Sequence, residues 1–148
     1  MTDNVKAFLD TLASSEGTRG HGDDGYNVLV GGDLFHDYSK HPNVLVTLNK
    51  AGLKSTAAGR YQFLKRTWDA LAAKLKLHDF SPASQDAGAV ELIAERRATD
   101  DVRAGRFADA VAKCAPIWAS LPGAGYGQRE NALQSLQAAY IRAGGALA

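Results

Sequence analysis

Glu16 is the residue of this chain whose position asks for chemistry. Counting from Val5, the apolar residues Val5, Phe8, Leu9, Leu12 and Ala13 fall on one helical stripe, and Glu16 takes the next place on it, directly before Gly17. A carboxyl there faces the negative end of the helix dipole and loses hydration against an apolar face; both effects disfavour the charged form and raise its pKa. A carboxyl held protonated near neutral pH is a general acid, and cleavage of a glycosidic bond needs one, because the leaving oxygen takes up a proton as the bond breaks. Periodicity alone leaves two other arrangements open: a glutamate frayed into solvent, and one paired structurally with Arg19 or Arg60.

Two later stretches bear on that choice. KSTAAGRYQF offers Ser55, Thr56, Arg60, Tyr61 and Gln62, hydrogen-bonding groups beside a flat aromatic ring, which suit the hydroxyls and the apolar face of a sugar. SLPGAGYGQ combines Gly123, Gly125 and Gly127, which let backbone approach a ligand closely, with Tyr126 and Gln128. Each stretch also reads as an ordinary turn or cap. His21, His36, His41 and His78 have no ligand-like spacing, so no metal or other cofactor is expected, and His36 and His41 read as loop and hairpin decoration. The single cysteine, Cys114, excludes an internal disulfide and reads as a small buried thiol.

The elements that must position these groups follow from local signals. Helix one runs from Asp3 or Asn4, either able to cap it, to Gly17. TRGHGDDGYN is expected to be a mobile loop, and YNVLVGGDLF a small hairpin. Val44 to Leu48 is a candidate strand, and LKSTAAGRYQF a polar stretch leading into a helix over about residues 64–77 with Trp68, Leu71, Ala72 and Leu75 inward. Ser81 caps and Pro82 starts the next helix, which runs to about Arg96. Thr99 caps a short turn, a helix begins near Ala108 and is interrupted at Pro116, and a last helix over about residues 128–143 turns Ala132, Leu136 and Tyr140 inward. The expected fold class is α+β, mostly α-helical, in a single domain over residues 1–148.

With 22% charged residues and a formal net charge of +1, scattered along the chain, no basic stripe points to nucleic acid. No apolar run is long enough to span a bilayer, and MTDNVKAFLD does not read as a secretory signal, so the chain is expected in the cytoplasm without stable membrane insertion.

Taken in order, helix one ending in SEG, YNVLVGGDLFHDYSKHP, LVTLN, LKSTAAGRYQF, DFSPASQDA and IWASLPGAGYGQ together resemble the lambda-type endolysins of bacteriophages, from Lys6 to about Gly145. That resemblance implies a lysozyme-like fold, with a helical lobe and a small β lobe flanking a glycan groove and the glutamate at their junction. It implies a lytic transglycosylase acting on peptidoglycan glycan strands, which cuts between N-acetylmuramic acid and N-acetylglucosamine without water. Carried over by motif, Glu16 matches the catalytic acid, and Ser55, Thr56, Arg60, Tyr61, Gln62, Gln85, Tyr126 and Gln128 are expected to line the groove. The resemblance also implies a monomer that accumulates in the host cytoplasm until a separate holin releases it to act in the periplasm.

The loop GTRGHGDDGYN looks shorter than in that family and carries Asp23 and Asp24. A hydrolytic muramidase, with Asp23, Asp24 or Asp33 as the second carboxylate, is therefore the alternative enzyme. A non-catalytic glycan-binding module would explain the tyrosines and amides without Glu16, and a structural phage component is a third class. The loop over residues 17–26 is expected to close on glycan as a lid.

Overall fold

The computed structural model describes residues 2–124 and 131–148. Six helices and one two-stranded sheet occur among them: α1 (Asp3–Glu16), β1 (Val46–Thr47), β2 (Lys54–Ser55), α2 (Lys65–Leu75), α3 (Pro82–Glu95), α4 (Thr99–Ala104), α5 (Phe107–Cys114) and α6 (Leu133–Arg142). The class is α+β and mostly helical, as expected. The chain divides into two units, one of residues 1–17 and 89–148 and one of residues 18–88, with α3 passing from the second to the first after Gly88.

In the first unit α1 packs on α6 and α4, and α4 on α5. Ala7, Phe8, Leu9, Thr11, Leu12, Ala13 and Ser15 form the buried face of α1, and the Thr11 hydroxyl is satisfied by the Ala7 carbonyl at 2.8 Å. Val5 is only half-buried, so the stripe is wider and shifted toward Ala7, Thr11 and Ser15, with Glu16 on its flank. Phe107 joins the helices, its ring 6.0 Å from Phe8 edge-on and 4.8 Å from Tyr140. Cys114 is fully buried there, and burial pushes its thiol up to about 12, the inert state of a core cysteine.

Capping differs from expectation in two places. Thr2, not Asp3 or Asn4, caps α1, its hydroxyl accepting from Val5 N at 3.3 Å. Asn4 is used elsewhere: its amide donates to the Arg103 carbonyl at 3.0 Å and accepts from Ala146 N at 2.9 Å, fastening the end of α4 and the C-terminal segment. Ala98, not Thr99, is the N-cap of α4, and Thr99 Oγ1 is buried with no hydrogen-bond partner among the described residues. In α6 the cap is Ala132, which is exposed, so only Leu136 and Tyr140 of the three expected core positions point inward, with Ala139 beside them. Asp101, nearly buried, accepts from Arg106 Nε at 2.7 Å and Lys113 Nζ at 2.5 Å, which closes α4 onto α5.

The second unit is built on aromatics. Trp68 stands 4.8 Å from Phe80 and 5.1 Å from Phe63, ring to ring, and His41 lies 5.0 Å from Phe80. The sheet is the antiparallel hairpin Val46↔Ser55, Thr47↔Lys54, turned by Asn49 to Gly52. KSTAAG is thus partly strand. The apolar run after Tyr26 closes a short antiparallel turn through the bridge Val28↔Leu34, with Leu29 N on Asp33 O and Phe35 N on Asn27 O, while Leu29 also bridges Ala58. Thr56 Oγ1 accepts from Lys65 N at 3.0 Å and caps α2 from outside its own sequence, and Ser81 caps α3 through Ser84 N at 3.3 Å.

Candidate active site

Glu16 is the last residue of α1. The helix stops there because Gly17 takes the left-handed conformation, φ 78°, and its N–H closes back on Ala13 and Ser14. The glutamate is not frayed: it is half-buried, and its carboxyl lies far enough from water that desolvation raises its pKa from 4.5 to about 7. The Ser120 hydroxyl hydrogen-bonds the carboxyl and opposes part of that rise. Ser120 Oγ in turn lies 2.7 Å from Ser15 Oγ, and Asn131 Nδ2 reaches Ser15 Oγ at 3.2 Å. None of these three partners was singled out in the sequence. Ser15 adjoins Glu16 and Ser120 falls in the IWASLPGAGYGQ run, which were usable signals, whereas Asn131 carried none.

Arg60 pairs with Asp24. Its guanidinium donates to the Asp24 carbonyl at 2.9 Å and meets the Asp24 carboxylate at 3.2 Å, while also lying 5.2 Å over the Tyr26 ring. Arg60, Tyr61 and Gln85 were expected to line a groove; they are instead 3%, 1% and 0% exposed, with their polar atoms bound to protein. Tyr61 donates to Asp86 at 2.6 Å, and burial together with that carboxylate holds its hydroxyl far above the ordinary tyrosine range. Tyr26 donates to the same Asp86 oxygen at 2.8 Å. Gln85 accepts from Arg60 N at 2.9 Å and donates to the Tyr26 and Phe80 carbonyls at 3.0 and 2.9 Å.

Ser55, Thr56 and Gln62 are half-buried and keep hydrogen-bonding capacity. Ser55 Oγ accepts from Ala57 N and Thr56 Oγ1 from Lys65 N, so each retains a hydroxyl hydrogen; Gln62 Nε2 donates to the Val28 and Gly59 carbonyls, which leaves its carbonyl oxygen. Tyr126 and Gln128 lie outside the described residues.

The aspartate loop is built from successive turns. Thr18 donates to the Arg60 carbonyl at 2.6 Å, His21 N bonds Thr18 O, Gly25 N bonds His21 O, and Asp24 accepts from Gly20 N at 2.7 Å. Asp23 accepts from the Tyr38 hydroxyl at 2.8 Å. These bonds tie down a stretch that reads in sequence as a mobile lid. His41, expected as loop and hairpin decoration, is buried: Nε2 donates to the Phe63 carbonyl at 2.8 Å and Nδ1 accepts from Asn43 N at 3.0 Å, a pairing that only one neutral tautomer satisfies. No group of three His, Cys, Asp or Glu among the described residues is placed to hold a metal.

The endolysin family model matches residues 6–147. The chain belongs to the endolysin family. It is 56% identical to the endolysin of Escherichia phage lambda, over 95% of this chain and 90% of that protein. The endolysin of Escherichia phage P2 is 50% identical over 96% and 93%. Among solved structures, bacteriophage lambda lysozyme complexed with a chitohexasaccharide superposes on this endolysin with a TM-score of 0.97 at 53% identity, covering 100% of this chain and 98% of that one. A second structure of lysozyme from bacteriophage lambda gives 0.92 at 51% identity. The lysozyme-like architecture expected from the motif order is therefore the fold of this chain.

Proposed function

We propose that this endolysin cleaves the glycan strands of peptidoglycan as a lytic transglycosylase, with Glu16 as its acid and base. The observation that carries the reading is the half-buried carboxyl at the end of α1, raised to about 7, in a chain of this family. Protonated Glu16 gives its proton to the bridging oxygen as the bond from C1 of N-acetylmuramic acid breaks. The neighbouring N-acetyl group stabilises the sugar cation. The resulting carboxylate takes the proton of the 6-hydroxyl, whose oxygen then bonds to C1, leaving a 1,6-anhydro end and restoring the acid. One group serving both steps works best with a pKa near the working pH.

Hydrolysis would call for a second carboxylate beside an attacking water. The engagement of Asp23 by Tyr38, and of Asp24 by Arg60 and Gly20, favours the single-carboxyl route. The relatives named lysozyme keep hydrolysis as the competing outcome, with exposed Asp33 its remaining candidate. For glycan contacts we assign Ser55, Thr56 and Gln62, which retain donors and an acceptor, and Tyr126 and Gln128 from the motif; Arg60, Tyr61 and Gln85 serve as framework. Mass spectrometry of digested peptidoglycan tests the reaction: anhydro-muramic ends, lighter by one water, are expected, and free reducing ends would overturn it.

A further inference from the structure

Asn131, Ser15 and Ser120 form a chain of hydrogen bonds that leads to Glu16. Asn131 Nδ2 lies 3.0 Å from the Ser15 carbonyl oxygen and 3.3 Å from the Ser120 carbonyl oxygen, and since both are acceptors only, the nitrogen end of the amide must face them. That same nitrogen is 3.2 Å from Ser15 Oγ, so its two hydrogens are shared among three acceptors. Ser15 Oγ and Ser120 Oγ lie 2.7 Å apart, and the arrangement in which Ser15 donates frees the Ser120 hydrogen. With Ser15 donating, Ser120 has its own hydrogen to give to the Glu16 carboxyl, whose pKa its hydroxyl lowers. The Asn131 backbone N–H, 2.9 Å from the Ser120 carbonyl, fixes the segment that carries Ser120.

We propose that Ser120 is a positioning residue for Glu16, its hydroxyl held as a permanent donor to the carboxyl by Ser15 and Asn131. This rests on Glu16 being the acid of the reaction. A donor bound to one carboxyl oxygen leaves the proton on the other, where it is available to a leaving group. Once the proton is given up, the same donor stabilises the carboxylate and offsets part of its desolvation. Without Ser120 the carboxyl would hold its proton to higher pH and recover it too tightly.

Among the described residues, the charges on α1 and on the elements packed against it leave that balance to Ser120. The titratable side chains on α1 besides Glu16 are Asp3, Lys6 and Asp10; on α4 they are Asp100, Asp101 and Arg103; on α6 they are Tyr140 and Arg142. The segment 115–124 has none. None of them contributes to the Glu16 shift, whose causes among the described residues are burial and Ser120.

The test is the pKa of Glu16, read by carboxyl carbon NMR, in the parent protein and in Ser120→Ala, Ser120→Thr and Ser15→Ala. Losing one hydrogen bond to a charged group should raise the value by about one unit in Ser120→Ala. Ser120→Thr keeps the hydroxyl and should stay near the parent. Ser15→Ala, a mild change inside a helix, should give a smaller rise because Ser120 is no longer held. A parent-like value in either alanine variant overturns the relay. The titration does not depend on turnover, whereas a fully lytic Glu16→Gln would remove the catalytic assignment and leave the titration result standing.

Discussion

Arg60 clasps Asp24 twice, through the backbone carbonyl at 2.9 Å and the carboxylate at 3.2 Å, and the two partners are unequal: the Arg60 side chain is 4% exposed and that of Asp24 56%. Removing the buried partner should therefore cost far more than removing the exposed one. Arg60→Ala is expected to lose about 3 kcal/mol of stability, and Asp24→Asn under about 1 kcal/mol. Urea denaturation of both variants checks the asymmetry.

The same clasp predicts how the aspartate loop behaves. Because turns and Arg60 hold residues 17–26 without ligand, trypsin should cut after Arg19 slowly, and equally slowly with chitohexaose present. In Arg60→Ala the cut should become fast. Protection that appears only with the oligosaccharide would restore the lid.

Glu16 makes stability depend on pH. Its folded pKa of about 7 exceeds the ordinary 4.5, so between those values the folded state binds the extra proton, and stability falls as pH rises through that window. The full effect, reached above about pH 7, is on the order of 3 kcal/mol. Glu16→Gln has nothing to titrate. It should match the parent near pH 4 and exceed it by roughly that amount at pH 8, measured by denaturant titration at the two pH values.

Activity should follow the opposite requirement. The first step needs protonated Glu16, so kcat should decline about tenfold per unit above a limb near pH 7, and Glu16→Gln should lose at least about a hundredfold of lysis. Release of soluble muropeptides across pH gives the limb, and a flat profile through pH 9 would remove Glu16 from the acid role.

Gly59 and Gln85 should behave as one unit. Gly59 has φ 83°, and a methyl group there would meet Gln85 Oε1 at 2.3 Å and Phe80 at 2.9 Å. Gly59→Ala is expected to cost about 3 kcal/mol, and Gln85→Ala a similar amount by stranding its three backbone partners. Because part of the first penalty is the clash with Gln85, the double variant should cost less than the sum, and strict additivity would argue against the shared contact.

Several features were legible because their causes are local. The helix that ends at Gly17, the Ser81 cap, the Pro82 start and the buried Trp68 and Leu71 rest on residues within four positions of one another. The turn after Tyr26 and the strand near Val46 were legible as short apolar runs, but their partners, Ala58 for Leu29 and Lys54 to Ser55 for β1, depend on segments that only the fold brings together. Arg60, Tyr61 and Gln85 look in sequence like ligand-binding groups; their partners turn out to be Asp24, Asp86 and backbone carbonyls.

The sequence by itself determined the family, through the order of its motifs, and placed a carboxyl at the end of the first helix, through apolar spacing and a glycine stop. Only the tertiary structure decided how strongly that carboxyl holds its proton. Desolvation and the Ser120 hydroxyl set it, and both come from chain segments that local periodicity cannot bring together.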